Sequence, residues 1–335
     1  MTALQREQLR LLFRIVLVGA AIGAVYGLIV GGSLAPAGQR ARFADAAVGI
    51  VNGIAISASI SAIEIFVLRA RLLRGFAALP FGVVFVLKVL AYGGIIATVV
   101  AGEPGGHLAA LAFGQPERSS PLPARATAIT IGFSLAVTAV FVVIMQAAGL
   151  VGRRTFRDLV LGRYRTPRRE RRFFLFVDVV GSTPIAERLD PLEVHRLLSA
   201  VFTALAEPVA ECRGEIYQYV GDEMVVTWTE AEGALEARPL RCFFAMSDAL
   251  MARAAQFRDR FGAEPALRAA LHLGEVIAGE VGEQRRAIVF HGDVMNTASR
   301  LEHATRETGQ RFIVSGDALA VLGRPQGLDY RDLGP

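Results

Sequence analysis

The stretch FFLFVDVVGST, Phe173–Thr183, decides how the second half of this 335-residue chain is read. Phe173–Val177 is apolar and β-prone with no Gly or Pro, the pattern of a strand buried in a core. It delivers one carboxylate, Asp178, onto a turn of small residues, Gly181-Ser182-Thr183, followed by Pro184. Thr183 suits a helix N-cap and Pro184 the first helical position. A strand, a tight loop and a helix N-terminus leave free backbone N–H groups aimed at one spot, which makes an anion site. A carboxylate at the same place argues for a metal ion bridging protein and phosphate. Taken alone, the stretch suits equally a buried strand with an ordinary capping loop.

Downstream, strands and helices alternate. Val194, Leu197, Leu198, Val201 and Leu205 recur at helical spacing, and Gly214 is a stop signal. Glu215–Trp228 is two β-rich runs around Gly221-Asp222, a hairpin with Asp222 at its tip. A helix over about 240–261, strands near 267–273 and 287–290, a helix over about 293–305 and a short strand over 311–314 complete the pattern. The order β-α-β-β-α-β is the split ferredoxin-like motif, in which the first strand lies beside the central hairpin. Asp178 and Asp222 then meet at one end of the sheet. Converging carboxylates repel each other and favour a divalent cation, and hard oxygen ligands point to Mg²⁺ or Mn²⁺. Asn296 and Arg300 stand four apart on one helix, hence on one face. An amide and a guanidinium so placed can hold a ribose oxygen and a phosphate.

The first half is different. The chain is 53% hydrophobic with a mean hydropathy of +0.43, and the excess sits in its first 152 residues. Four apolar segments, about 15–36, 44–68, 77–101 and 126–152, are each long enough to cross a bilayer core, which takes about 20 residues. The lipid bilayer is therefore an expected partner. Arg6, Arg10 and Arg14 precede the first, Arg69, Arg71 and Arg74 separate the second and third, and Arg153, Arg154 and Arg157 follow the fourth; Arg40, Arg42, Arg118 and Arg125 are the basic residues of the other two loops. That bias puts both termini in the cytoplasm of a multi-pass protein of the cell (inner) membrane. A competing reading cleaves a signal peptide at Ala35-Pro36-Ala37. Lys88 lies mid-span, where an ionisable group is costly, and is expected to face the bundle interior with Glu64 as partner; the pair serves packing or belongs to the sensing of an unidentified ligand or of protons. The outer loop 103–125 is Pro- and Gly-rich and reads as irregular. Residues 153–172 form a basic linker in which a helix extends the fourth span until Gly162 and Pro167 break it.

The net charge of +5 comes from 36 basic against 31 acidic residues, and Lys88 is the single Lys. The basic excess clusters just after the fourth apolar segment, which suits a membrane flank and not a nucleic-acid site. Cys212 and Cys242 lack metal-ligand spacing, and a disulfide scaffold is not expected in the cytosol.

The three motifs FVDVVGST (Phe176–Thr183), VGDE (Val220–Glu223) and HGDVMNTASRLE (His291–Glu302) together resemble the class III adenylate/guanylate cyclase family. The resemblance covers about 160 residues from Phe173. It implies a multi-domain membrane protein: an all-α four-helix transmembrane bundle over 1–152, the linker, and an α+β ferredoxin-like nucleotidyl cyclase domain over 173–335. It further implies a head-to-tail homodimer with shared active sites that converts ATP, or alternatively GTP, to the cyclic nucleotide and pyrophosphate. Asp178 and Asp222 would hold two Mg²⁺ or Mn²⁺ per site, with the backbone carbonyl of Val179. Gly181, Ser182 and Thr183 would line the nucleotide, Asn296 would orient the ribose and Arg300 would stabilise charge at the α-phosphate.

Two departures stand out. The family's adenine-selecting Lys falls at Gln218, and its Asp or Thr partner falls at Val289, which cannot hydrogen-bond through its side chain. The last strands and the phosphate-contacting Lys that the family carries there have no counterpart up to Pro335: either the form is truncated, or an Arg such as Arg285, Arg286 or Arg311 takes that role. These departures keep a silent nucleotide-binding regulatory module as a competing reading. A diguanylate cyclase is a poorer one, because Val220-Gly-Asp-Glu lacks the first Gly and the final Phe of that motif.

Overall fold

A computed structural model describes residues 3–34, 39–64, 79–102, 106–107, 111, 124–284 and 286–334. Ala35-Pro36-Ala37, the continuation of the second span over 65–68, Arg69, Arg71, Arg74, Arg118, Arg285 and most of the 103–125 loop lie outside these residues. The chain divides into two compact units, Met1–Leu150 and Val151–Pro335.

The first unit holds α1 (Ala3–Leu34), α2 (Gln39–Ala62), α3 (Phe81–Gly102) and α4 (Ala124–Val151). Each contains a stretch of at least 20 residues long and apolar enough to cross a membrane: Leu9–Ile29, Phe43–Ala62, Gly82–Gly102 and Thr127–Val151. In hydrocarbon no hydrophobic force drives helices together, so close packing of small residues does the work. Gly19, Gly23 and Gly27 of α1 face Gly49 and Gly53 of α2 so closely that a Cβ on any of them would run into the backbone or side chain opposite. This glycine seam was not singled out in the sequence reading. Lys88 does find Glu64: its Nζ donates to both carboxylate oxygens at 2.7 and 2.9 Å, and the Tyr92 hydroxyl donates to the same carboxylate at 2.8 Å.

The second unit opens with α5 (Arg153–Val160), set off from α4 by Gly152, whose φ of 93° breaks the helix. The expected extension of the fourth span is thus a separate helix. β1 runs Arg168–Val180, so Arg168–Arg172, read above as linker, is strand: it pairs with Gly274–Ala278. Then follow α6 (Ser182–Arg188), α7 (Pro191–Glu211), β2 (Glu215–Val220), β3 (Glu223–Thr229), α8 (Glu230–Ala234), α9 (Arg238–Met251), α10 (Ala254–Phe261), β4 (Ala266–Val281), β5 (Ala287–His291), α11 (Asp293–Thr308), β6 (Phe312–Val314) and α12 (Gly316–Leu322). The expected helix over 240–261 is two, broken at Ala252-Arg253, and α8 was missed. α6 starts two residues earlier than expected, at Ser182, with Gly181 in the left-handed region as its cap in place of Thr183.

Strand order is β2-β3-β1-β4-β5, with β6 parallel to β4, so the first strand lies beside the hairpin as the ferredoxin-like order requires. β1 is covered on both faces, which is why its apolar run is continuous instead of alternating. Phe173, Leu175, Val177 and Val179 pack against α7 and α9 through Leu197, Val201, Leu240 and Met246. Phe174 and Phe176 pack on the other face with Phe290, Val294 and Ala298. Arg172, on this second face, is 2% exposed. Its guanidinium is held by Glu170 at 3.0 Å, Glu215 at 2.9 Å and the Thr227 hydroxyl at 3.1 Å, and lies over the Phe290 ring.

Removing one partner from a buried ion network strands the others. Arg172→Ala should therefore cost about 3–5 kcal/mol. The sole Trp, Trp228, is fully buried in β3, so chemical unfolding of the whole chain in detergent, followed by its fluorescence, reads the loss directly.

Candidate active site

Asp178 sits at the end of β1, 1% exposed, on the face that α11 covers. In the sheet it lies opposite Glu223 of β3 and Arg268 of β4. Its Oδ2 accepts from Arg268 Nε at 2.7 Å and from Arg306 Nη2 at 3.2 Å. Both arginines also pair with Glu302, itself 3% exposed, at 3.5 and 3.2 Å. Asp222 occupies the tip of the β2–β3 hairpin after Gly221, whose φ of 61° the two-residue turn requires. The Ser182 hydroxyl donates to the Asp222 carboxylate. The loop Gly181-Ser182 and the hairpin tip are thereby tied together, and the two aspartates expected to converge do so.

The cluster carries more acid than base. Burial raises the Asp178 carboxyl above the ordinary carboxylate value, Arg268 pulls the other way, and Asp222 adds to the rise. Glu223 is pushed up to about 7, by burial first and then by Glu302, Asp178 and Asp222. Four carboxylates against two guanidiniums give the oxygen chemistry that a hard divalent cation takes, but here Asp178 and Glu302 are held by the arginines, and among the described residues no three Asp, Glu, His or Cys side chains are grouped as a metal site. Val179 is buried beside Asp178.

The other expected residues stand elsewhere. Asn296 and Arg300 are exposed on α11, whose opposite face buries Val294, Ala298 and Glu302. The Asn296 amide donates to Asp293 at 3.4 Å. Among the described residues no hydrogen bond or ion pair joins Asn296 or Arg300 to Asp178 or Asp222. Gln218 is exposed on β2 next to an irregularity in the β2–β3 register, and Val289 is half-buried on β5 opposite Gly279. β3, β1 and β4 lie between Gln218 and Val289, and the register places Gln218 level with Ala270 of β4 but Val289 level with Gly279, so the two are far apart both across the sheet and along it. Thr183 is exposed. Of the arginines weighed for a phosphate role, Arg286 pairs with Glu280 at 3.9 Å and Arg311 is exposed before β6. Arg268 and Arg306, which the sequence reading passed over, are the ones at the carboxylates. The signal for Arg268 was its register position opposite Asp178, legible only once β4 is paired.

Residues 167–334 match the Adenylate and Guanylate cyclase catalytic domain. The chain belongs to that family. Adenylate cyclase 2 of Rhizobium meliloti (strain 1021) is 37% identical over 202 residues, 60% of this chain and 56% of the relative. Adenylate cyclase 1 of the same organism is 32% identical over 157 residues, 44% of this chain and 22% of the relative. The chain thus spans little more than half of one cyclase relative and about a fifth of the other. The structure of a bacterial light-regulated adenylyl cyclase shares the fold, with a TM-score of 0.51 at 18% identity over 58% of each chain.

A group protonated in the folded state and ionised in the unfolded one makes stability fall as pH rises between the two pKa values. In the presence of EDTA, the contribution of Glu223 should be lost between its ordinary 4.5 and about 7. Melting profiles of wild type and Glu223→Gln, taken from pH 4.5 to 8 by Trp228 fluorescence, should diverge over that window, with the variant the more stable at the alkaline end. Parallel profiles would show that Glu223 titrates normally.

Proposed function

We propose that this chain is a membrane-bound adenylate cyclase that converts ATP to cyclic AMP and pyrophosphate at sites shared between two copies. The observation that carries the reading is the buried Asp178, converging with Asp222 in an acid-rich cluster at the end of a ferredoxin-like sheet. Asp178 and Asp222, with the Val179 carbonyl, would hold two Mg²⁺ or Mn²⁺. Bound there, the cations would lower the pKa of the ribose 3′-hydroxyl and offset the charge of the triphosphate.

The chain's own groups do the rest. The ribose 3′-hydroxyl gives its proton to water as its oxygen bonds to the α-phosphorus in line and the bond to pyrophosphate breaks. Arg300 acts where negative charge grows in the transition state, which is where fixed positive charge is worth most. Asn296 orients the ribose by hydrogen bonding. Arg268 and Arg306, already at the acidic cluster, are the cations positioned to turn toward the triphosphate. Gln218 reads the purine edge by donating and accepting.

The geometry of the single chain supports a shared site. Asn296 and Arg300 project from the face of α11 opposite the one that reaches Asp178, and Gln218 and Val289 lie on different edges of the sheet. A second copy placed head to tail brings Asn296 and Arg300 to the first copy's Asp178 and Asp222. The four apolar helices support a multi-pass placement, with the cyclase domain and both termini on the cytoplasmic side by the distribution of arginines.

Product analysis tests the chemistry. The full chain in nanodiscs, given ATP or GTP with Mg²⁺ or Mn²⁺, should yield cyclic AMP from ATP, and Asp178→Ala should abolish turnover while the dimer persists. Cyclic GMP as the main product would keep the mechanism and overturn the substrate, with Gln218 and Val289 the residues responsible. Bound nucleotide with no cyclic product would favour a regulatory module. Sharing has its own test: Asp222→Ala and Arg300→Ala are each expected to be inactive alone, and mixed heterodimers should regain one working site. No recovery in heterodimers shown to form would confine each site to one chain.

A further inference from the structure

The membrane unit holds a partly open cavity of about 510 Å³ that the cyclase reading leaves without a role. Its walls are the glycine seam of α1 and α2 on one side and Phe133, Val137 and Ile144 of α4 on the other. Small-molecule sites are typically 300–1,000 Å³, mostly apolar, with a few placed polar groups. The lining runs from Arg14 to Gly27 along α1 and from Asp45 to Ser61 along α2. At 1.5 Å per residue that makes a slot on the order of 20 Å long.

Three observations define its chemistry. Ser61 lines the cavity, is 1% exposed, and its Oγ has no hydrogen-bond partner. A buried hydroxyl left unsatisfied in an apolar setting is costly and calls for an acceptor or donor from outside the chain. Secondly, Gly19 faces Gly53 and Ser57 while Gly27 faces Asp45, so α1 and α2 run antiparallel and Arg14 shares its end of the slot with Ser61. Arg14 lines that end, is exposed, and forms no ion pair among the described residues. Thirdly, the far end is already satisfied: the Tyr26 hydroxyl donates to Thr130 at 2.9 Å, the Tyr26 ring stacks on Phe133 at 4.4 Å, and Asp45 has a partner. Arg14, without an ion pair among the described residues, and the orphaned Ser61 hydroxyl therefore share one end of a long apolar slot.

We infer that this slot binds a single-chain, long-chain carboxylate, its acyl chain along the glycine seam and its head group between Arg14 and Ser61. An uncharged apolar guest would leave Ser61 unsatisfied, and a cationic amphiphile would meet Arg14. The slot binds independently of nucleotide and metal, so its test stands apart from the cyclase reading.

The probe is a palmitic acid analogue with a diazirine at mid-chain, photolysed with the full chain in nanodiscs and mapped by peptide mass spectrometry. Label should fall on slot residues such as Val18, Ile56 and Val137, and unlabelled palmitate should compete while its methyl ester should not. Arg14→Gln should weaken labelling about tenfold, the scale of a lost charge-assisted hydrogen bond, with Arg14→Lys largely restoring it. Ser61→Ala should weaken it by a few-fold. Ser134→Phe, which fills the slot without touching the head-group end, should block labelling while the chain keeps its melting profile. Label spread over lipid-facing positions and insensitive to Arg14→Gln would overturn the inference. So would equal labelling of the slot by a diazirine phosphatidylglycerol that palmitate fails to displace, since a bilayer lipid would then be the occupant.

Discussion

A carboxylate buried to 1% exposure must be neutralised, and much of the cyclase domain is arranged to neutralise Asp178. The strand that carries it is covered on both faces, so the side chain has no route to bulk water along the sheet. Its neighbours supply the charge: Arg268 from the adjacent strand and Arg306 from the helix above. Those two cations also serve Glu302, and Asp222 and Glu223 press in from the hairpin. Burial first, and then the neighbouring carboxylates Glu302, Asp178 and Asp222, raise Glu223 to about 7. The far end of the same face is built alike, with the sign reversed: Arg172 is buried and answered by Glu170 and Glu215. One face of the strand thus carries a buried cation, Arg172, toward one end and a buried anion, Asp178, toward the other.

The sheet also acts as a ruler. Asp178 sits on the middle strand of five, while Gln218 and Val289 lie on the outermost strands of that order. α11 serves two directions at once. Glu302 and Arg306 turn toward the chain's own acidic cluster, and Asn296 and Arg300 turn to solvent. A helix with 3.6 residues per turn separates these two sets onto different faces by geometry alone.

In the membrane unit the governing constraint is different. Lipid offers polar groups nothing, so Lys88 is closed off by Glu64 and Tyr92, and helix approach is set by glycine. Ser61 is an exception to that satisfaction, and it stands beside space rather than beside protein.

How much was legible beforehand follows from the range of the forces involved. The apolar run 173–177, the Gly221-Asp222 turn and the four long hydrophobic segments are local patterns, and local patterns dictated the β-α-β-β-α-β order, the spans and the meeting of Asp178 with Asp222. Lys88 announced its need for Glu64 because a charge in hydrocarbon has few options. What failed depended on distant partners. Arg168–Arg172 reads as a charged linker until β4 pairs with it, and then becomes strand because backbone hydrogen bonding outweighs its composition. The helix over 240–261 breaks at a point its periodicity does not mark. Arg268 and Arg306 looked like two among 35 arginines. Only the register of β1 on β4 and the seating of α11 aimed them at one carboxylate. The amino-acid sequence determined which groups carry charge and which segments are buried. The tertiary structure decided which charges meet, because electrostatic pairing depends on distance in space and not on separation along the chain.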